Sequence, residues 1–302
     1  MKKNRLGSTD IYISEIGLGC MSLGTDEMKA TELVHQAIEQ GINFLDTSDL
    51  YDEGLNELIV GKAIKKKRNE LILATKVGNR RILGQKGWHW DPSKAYIKSA
   101  VKDSLTRLQT DYIDLYQLHG GTLDDPIDET IEAFEELMQE GWIRSYGISS
   151  IRPNVIREYV KRSKIVSVMS QYSILDRRPE EEIMPLLAEH QISLIARGPV
   201  AKGILSEQGE RKAEDGFLDY SREELITLQS KLKSLSLADR SMSQTAIRYA
   251  LSSPVVAVAI PGASSIEQLE HNIAAGHSLE LTEEELSTIQ KISKANRYAS
   301  HR

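Results

Sequence analysis

Eight short apolar runs alternate with amphipathic stretches along the 302 residues, the runs are apolar on both alternations, and no Pro-, Gly- or Ser-rich linker interrupts them. Strands buried on both faces and separated by helices belong to parallel sheets. Eight such units in one chain predict an α/β fold, a (β/α)8 or TIM barrel with an N-terminal β-hairpin, as a single domain over residues 1–302.

The elements follow in order. The start "NRLGSTDIYI" reads as the hairpin, with a Gly-Ser turn between short alternating segments. The strand-like runs are 15–21, 42–48, 71–77, 112–119, 143–149, 166–172, 192–198 and 256–262. Between them, stretches such as "MKATELVHQAIEQG", "SKAYIKSAVKDSLTRLQ" and "IDETIEAFEELMQEG" place apolar residues three or four apart, the period of a helix with one buried face. A doubly wound open sheet is the competing architecture. Against it, the glycines of "GLGCMSLG" lie at 17, 19 and 24, with Ser22 where the third glycine of a dinucleotide-binding turn belongs.

Composition narrows the function classes. At 40% hydrophobic and 27% charged residues the chain can bury a sizeable core. A net charge of −6 gives no general attraction for nucleic acid or anionic membrane. The basic cluster "KAIKKKR" (62–68) reads as the cationic end of a helix. The one cysteine, Cys20, allows no internal disulfide; "MKKNRLGSTDIYIS" lacks the apolar core of a secretory signal; and "PVVAVAIPGA" is too short to span a bilayer. A cytoplasmic protein without nucleic-acid or membrane partners is expected.

If the fold is a barrel, the carboxyl ends of its strands look into one mouth, where such folds carry chemistry. The second strand ends at Asp46, in "NFLDTSDLYDEGLNE", with Tyr51 just beyond; the third carries Lys76 and the fourth ends at His119. A phenol of ordinary pKa about 10 is a weak acid near neutrality, and a neighbouring ammonium such as Lys76 lowers that pKa. Asp46 supplies the opposite charge that a buried lysine needs, and neutral His119 can orient a substrate oxygen. Such a set can protonate a carbonyl oxygen as electrons reach its carbon. Each residue also has a plainer reading: helix cap, core ion pair, satisfied core histidine, rim aromatic. Four coincidences at neighbouring strand ends weigh for a site. No histidine belongs to an H-E-x-x-H arrangement, so no metal is expected. The segment Trp88–Trp90, read as part of the loop after the third strand, suits either a pocket wall or packing against outer helices.

These residues carry a resemblance. "GINFLDTSDLYDEGLNELIVGKAI", "ILATKV" and "LQTDYIDLYQLH", followed by "GWIRSYGISS", "QYSILDR", "ARGPVAKGIL" and "IPGASSIEQLEHN", are similar in order and spacing to the aldo-keto reductases along nearly the whole chain. The resemblance implies that Asp46, Tyr51, Lys76 and His119 are the catalytic residues. It further implies NAD(P)H-dependent reduction of aldehydes or ketones, with hydride from nicotinamide and a proton from Tyr51. Ser149, Gln171, Arg197, Gly198, Pro199, Gly262, Ser264, Gln268 and Asn272 then fall at cofactor-binding positions. Ser150 and Met169 stand where relatives often have Asn and Gln, so carboxamide contacts are expected to be fewer. Arg197 replaces a frequent stacking tyrosine, either to stack or to pair with phosphate, and His271 replaces a frequent glutamate.

NADPH is expected to be preferred to NADH, because Ser264 or Ser265 after Gly262 caps a helix whose N-terminus suits a 2′-phosphate. With no Lys or Arg between 261 and 272, and Glu267 in the first turn, the preference is expected to be modest. Two other classes stay open: a cofactor-binding regulatory barrel with little turnover, as in potassium-channel β-subunit-like members of the family, and a metal-free hydrolase or lyase barrel. The physiological carbonyl is not named by the sequence.

Overall fold

The computed structural model of the chain describes residues 1–82, 87–235 and 240–302. Strands β1 (Lys3–Arg5) and β2 (Tyr12–Ser14) form the expected antiparallel hairpin. Eight parallel strands follow in the spatial order of the chain: β3 (Leu18–Gly19), β4 (Phe44–Asp46), β5 (Ile72–Val77), β8 (Ile113–Leu118), β9 (Ile143–Ser149), β10 (Ser167–Gln171), β11 (Ser193–Arg197) and β12 (Val256–Ile260). The first and last meet through parallel bridges Ile16↔Ala259 and Gly19↔Gly262, with Gly17 N donating to Ala259 O at 2.9 Å and Ala259 N to Glu15 O at 2.9 Å. The sheet is thereby closed into a (β/α)8 barrel.

Helices α1 (Glu27–Glu39), α2 (Leu55–Ile64), α3 (Lys94–Leu108), α4 (Ile127–Gln139), α5 (Pro153–Arg162) and α6 (Ile183–Glu189) each follow one strand; α7 (Arg222–Leu235) and α8 (Met242–Leu251) follow β11, and α9 (Ile266–Ala275) and α10 (Glu283–Ile292) follow β12. Their starts are written locally. Asp26 accepts from Met28 N and Lys29 N, Ser93 accepts from Tyr96 N, and Ser241/Gln244 and Thr282/Glu285 form capping boxes. Where α2 crosses α3, a Cβ on Gly61 would lie 2.5 Å from the Leu108 carbonyl, so only glycine permits that approach.

The barrel interior is filled by Phe44, Ala74, Leu115, Met169, Ile195 and Val258, and the hairpin closes its floor with Leu6 and Ile13. Met169 therefore belongs to the core, and the polar end of β10 is Gln171. No described helix is long and apolar enough to cross a membrane.

Two local expectations are corrected. Trp88–Trp90 is a strand, β7, paired antiparallel with β6 (Asn79–Arg81) from Asn79↔Trp90 to Arg81↔Trp88. The "KAIKKKR" segment is not simply a helix end, because α2 stops at Ile64 and Arg68 turns inward. Its guanidinium pairs with Asp114 at 2.7 Å and donates to Thr110 Oγ1, Leu71 O and Tyr112 O. A basic run can hide a structural ion pair when one member finds a buried carboxylate.

Candidate active site

The polar ends of β4, β5 and β8 converge as expected. Lys76 is fully buried, and its Nζ donates to Asp46 Oδ2 at 2.7 Å, Thr47 O at 2.7 Å and Tyr51 OH at 3.1 Å. These three acceptors use all three ammonium hydrogens. Gln117 Nε2, two residues before His119 on β8, donates to Asp46 Oδ1 at 3.3 Å. Tyr51 begins a tight turn in which Asp52 and Glu53 take φ of +47° and +57° before Gly54 opens α2. Left-handed backbone at consecutive non-glycine residues is strained, and the surrounding contacts hold it at the site.

The first turn of α2 fixes the strand ends. Asn56 accepts from Thr47 Oγ1 at 2.7 Å and donates to Cys20 O at 2.9 Å, while Glu57 accepts from Thr75 Oγ1 at 2.6 Å and from Arg107 Nε at 2.7 Å. Both bonded threonines are chain neighbours of site residues, Asp46 and Lys76. The Asn-Glu pair thus positions the site without belonging to it.

Electrostatics set the protonation states. Burial acts against the Lys76 charge, but Asp46 and Tyr51 together hold its pKa above the ordinary value; burial raises the Asp46 carboxyl despite the lysine. The 2.7 Å contact with every donor saturated describes a charged pair, with no lysine lone pair free for nucleophilic attack. Lys76 acts to lower the Tyr51 pKa as expected, but it does not win. Burial raises it, Lys76 opposes, Asp46 raises it again, and the net shift is upward. Asp46 cancels much of the field the lysine would exert on the phenol. His119 is pushed down to about 3 by burial, then by the Lys76 and Arg197 charges, and is neutral over the working pH range. Its Nδ1 lies 3.2 Å from Ser48 Oγ, and its ring meets that of Tyr51 edge-on at 6.2 Å.

The rim includes one of the two neighbouring tryptophans. The Trp90 indole lies against Gly78 (φ +123°) and Gly120 (φ +138°), where an added Cβ would come within 2.5 and 3.2 Å of the ring, and its Nε1 donates to Asp125 at 2.9 Å. Trp88 and His89 face solvent. The tail "KANRYASHR" docks across the start of α5 and the segment after β10: Arg177 N donates to Asn296 Oδ1 at 3.0 Å, Asn154 N donates to His301 O at 2.9 Å, and Tyr298 is buried under Arg178.

The residues expected to hold a cofactor lie at the other strand ends. Ser149, Gln171 and Arg197 end β9, β10 and β11, Gly198 (φ +66°) and Pro199 follow, and Gly262 follows β12. Arg197 donates to Gln171 Oε1 at 3.2 Å, and among the described residues no carboxylate pairs with it. Burial lowers its pKa. Ser265, not Ser264, caps α9, accepting from Gln268 N. Ser264 instead gives both its N–H and its hydroxyl to Gln268 Oε1, at 2.9 and 3.1 Å, while Asn272 Nδ2 donates to Gly262 O at 3.2 Å. Ser22 packs against Gly262, where an added Cβ would lie 2.3 Å from Ser22 Oγ and make that side chain turn away.

Sequence reading did not assign Gln117, Asn56 or Glu57 a site role, nor the Ser48 contact to His119. The signal for Gln117 was present: a polar residue two positions before His119, and so in step with it along β8. Among the described residues, no group of three or more His, Cys, Asp or Glu is arranged to hold a metal ion.

A closed parallel barrel with ionisable side chains gathered at its carboxyl ends defines an α/β-barrel enzyme. The Aldo/keto reductase family model matches residues 15–294, and the chain belongs to that family. It is 59% identical over 307 residues to the uncharacterized oxidoreductase YqkF of Bacillus subtilis strain 168, covering 100% of both chains. It is 32% identical to the aldo-keto reductase YhdN of the same organism, covering 89% of this chain and 87% of that one. Among solved structures, the holo form of aldo-keto reductase AKR11C1 from Bacillus halodurans superposes with a TM-score of 0.95 at 60% identity, covering 100% of this chain and 99% of that one. The protein is therefore an oxidoreductase of a family that acts on small carbonyl compounds with nicotinamide cofactors.

Proposed function

We propose that this protein reduces aldehydes or ketones to alcohols with NADPH, in the cytoplasm, as a single barrel domain. The observation that carries the reading is the Lys76 ammonium, saturated by Asp46, Thr47 O and Tyr51 OH, beside a neutral histidine. When bound, the cofactor supplies a hydride to the carbonyl carbon. Tyr51 transfers its phenolic proton to the carbonyl oxygen as negative charge develops there. Lys76, bonded to the same phenol oxygen, stabilises the phenolate left behind, and Asp46 keeps Lys76 charged. His119 donates from Nε2 to the carbonyl oxygen and orients it. The raised Tyr51 pKa keeps the proton in place until the oxygen becomes basic.

The residues at the ends of β9 to β12 fit a nicotinamide dinucleotide phosphate. Arg197, without a carboxylate partner, suits an anion or a planar ring. Ser149, Gln171, Gly198, Pro199 and Gly262 would line the dinucleotide, and Ser264, Gln268 and Asn272 its adenosine phosphate. Gln268 already occupies the Ser264 donors, so a 2′-phosphate must replace its Oε1 there. With no cation in that turn, NADPH is preferred only modestly. A carbonyl panel followed by cofactor absorbance, run with NADPH and NADH, tests the reading. Aldehyde-dependent NADPH oxidation is expected; tight binding without turnover would point to a regulatory barrel, and no binding to another barrel chemistry.

A further inference from the structure

One ionisable side chain next to the site takes no part in the reaction as written. Asp49 is 6% exposed, in the turn between β4 and Tyr51. The Ser48 hydroxyl stands between two partners, 3.2 Å from Asp49 Oδ1 and 3.2 Å from His119 Nδ1, and it also accepts from Leu50 N at 3.2 Å. A hydroxyl has one hydrogen to donate, so it serves either the carboxyl or the imidazole, never both. Its direction is therefore tied to where the His119 proton sits, and a neutral histidine has two choices.

We propose that Asp49, acting through Ser48, is a positioning residue that decides which nitrogen of His119 carries the proton. With Asp49 protonated, its O–H donates to Ser48 Oγ, Ser48 donates to His119 Nδ1, and Nε2–H faces the mouth as a donor. With Asp49 ionised, Ser48 donates to the carboxylate, Nδ1–H donates to Ser48, and Nε2 presents a lone pair. Between the two states the Asp49 proton moves to Ser48, the Ser48 proton moves to Nδ1, and the Nε2 proton leaves to solvent. One proton is released, His119 stays neutral, and only O–H and N–H bonds are exchanged.

The surroundings place this switch within the working pH range. Facing Asp49 are Glu57 from α2, Arg107 and Tyr96 from α3, and Tyr116 from β8. Burial first, then the Glu57 charge, push the Asp49 carboxyl up to about 7, against the Ser48 bond and Arg107. The consequence for turnover rests on the carbonyl-reduction reading. The orienting donor is present below neutrality and lost above it, so kcat/KM for reduction falls about tenfold as pH rises through 7, the worth of one hydrogen bond.

The test uses the whole chain labelled with 15N-histidine, with His119 assigned by comparison with His119→Gln. Between about pH 5.5 and 8.5, the wild-type Nδ1 and Nε2 shifts are expected to exchange character near neutrality, and Ser48→Ala and Asp49→Asn to abolish the exchange. The same two variants should flatten the pH profile of kcat/KM. A His119 tautomer that is constant across this range, or a transition that survives in Ser48→Ala, would overturn the proposal. A tautomer switch in a protein that reduces no carbonyl would uphold the relay and sink the assigned reaction, so the two failures are distinguishable.

Discussion

The two halves of the barrel mouth are built differently. At the ends of β4, β5 and β8, every hydrogen of Lys76 is spoken for, both Asp46 oxygens accept, and Asn56 and Glu57 brace the adjoining threonines. At the ends of β9 to β12 the polar groups bond only among themselves, mostly through neutral partners: Arg197 with Gln171, Ser264 with Gln268, Asn272 with Gly262 O. The first half is preorganised, so charge that develops on a reacting oxygen meets fixed donors without reorganisation. The second half holds exchangeable bonds that a dinucleotide can replace one for one. Chemistry and binding therefore separate by position around the mouth, and substitutions should separate them too.

The largest effect is expected on the rigid side. Lys76→Met leaves Asp46 buried without its partner and should lower stability by about 3–5 kcal/mol, besides removing measurable reduction. Denaturant unfolding with near-UV circular dichroism separates the two losses. A stable Lys76→Met protein that still turns over would break the comparison at its strongest point.

His119 gives a pH signature of similar origin. Its pKa is about 3 in the folded chain against about 6.5 unfolded, so the folded state binds fewer protons at low pH. Stability from the neutral imidazole is fully present above about 6.5 and is lost as pH falls towards 3. Relative to His119→Gln, the wild type should lose on the order of 3 kcal/mol by pH 4. Parallel stability curves for the two proteins would mean that the imidazole is not held neutral.

On the exchangeable side effects are smaller and fall on binding. Arg197→Ala should weaken NADPH binding by about ten- to a hundredfold, the worth of a hydrogen bond from a charged donor, with kcat little changed. Titration calorimetry against steady-state kinetics reads the split, and a loss confined to kcat would move Arg197 into the chemistry. The smallest effect is cofactor choice: kcat/KM with NADPH should exceed that with NADH by roughly tenfold or less, since the first turn of α9 offers no cation and carries Glu267. A ratio at or below unity would show that this turn does not recognise the phosphate.

Much of this was legible in the chain. Strands buried on both faces announce themselves as unbroken apolar runs, and a polar residue at the end of such a run is conspicuous, which is why Asp46, Lys76 and His119 could be named by position. What was hidden depends on contacts between distant segments. The β6–β7 pairing joins strands of three residues each, Asn79–Arg81 and Trp88–Trp90, too short for an alternation to be read, and Arg68 sits in a basic run that looks like surface until Asp114 is brought beside it. The sign of the Tyr51 shift is set by burial of the phenol, which outweighs the lysine with help from Asp46, and burial is not read from a motif. At α9 the serine-rich start suggested free N–H groups, but the Gln268 side chain folds back to accept from the N–H and the hydroxyl of Ser264.

The central claim is that carbonyl reduction draws its proton from Tyr51, and one paired measurement tests it most directly. Wild type and Tyr51→Phe are compared with one reactive aldehyde at saturating NADPH, with cofactor affinity measured on the same preparations. The variant should lose a factor on the order of 10² to 10⁴ in kcat while its NADPH dissociation constant stays unchanged, as expected for removal of a general acid. Turnover of Tyr51→Phe near the wild-type rate would contradict the assignment and require another proton donor at the mouth.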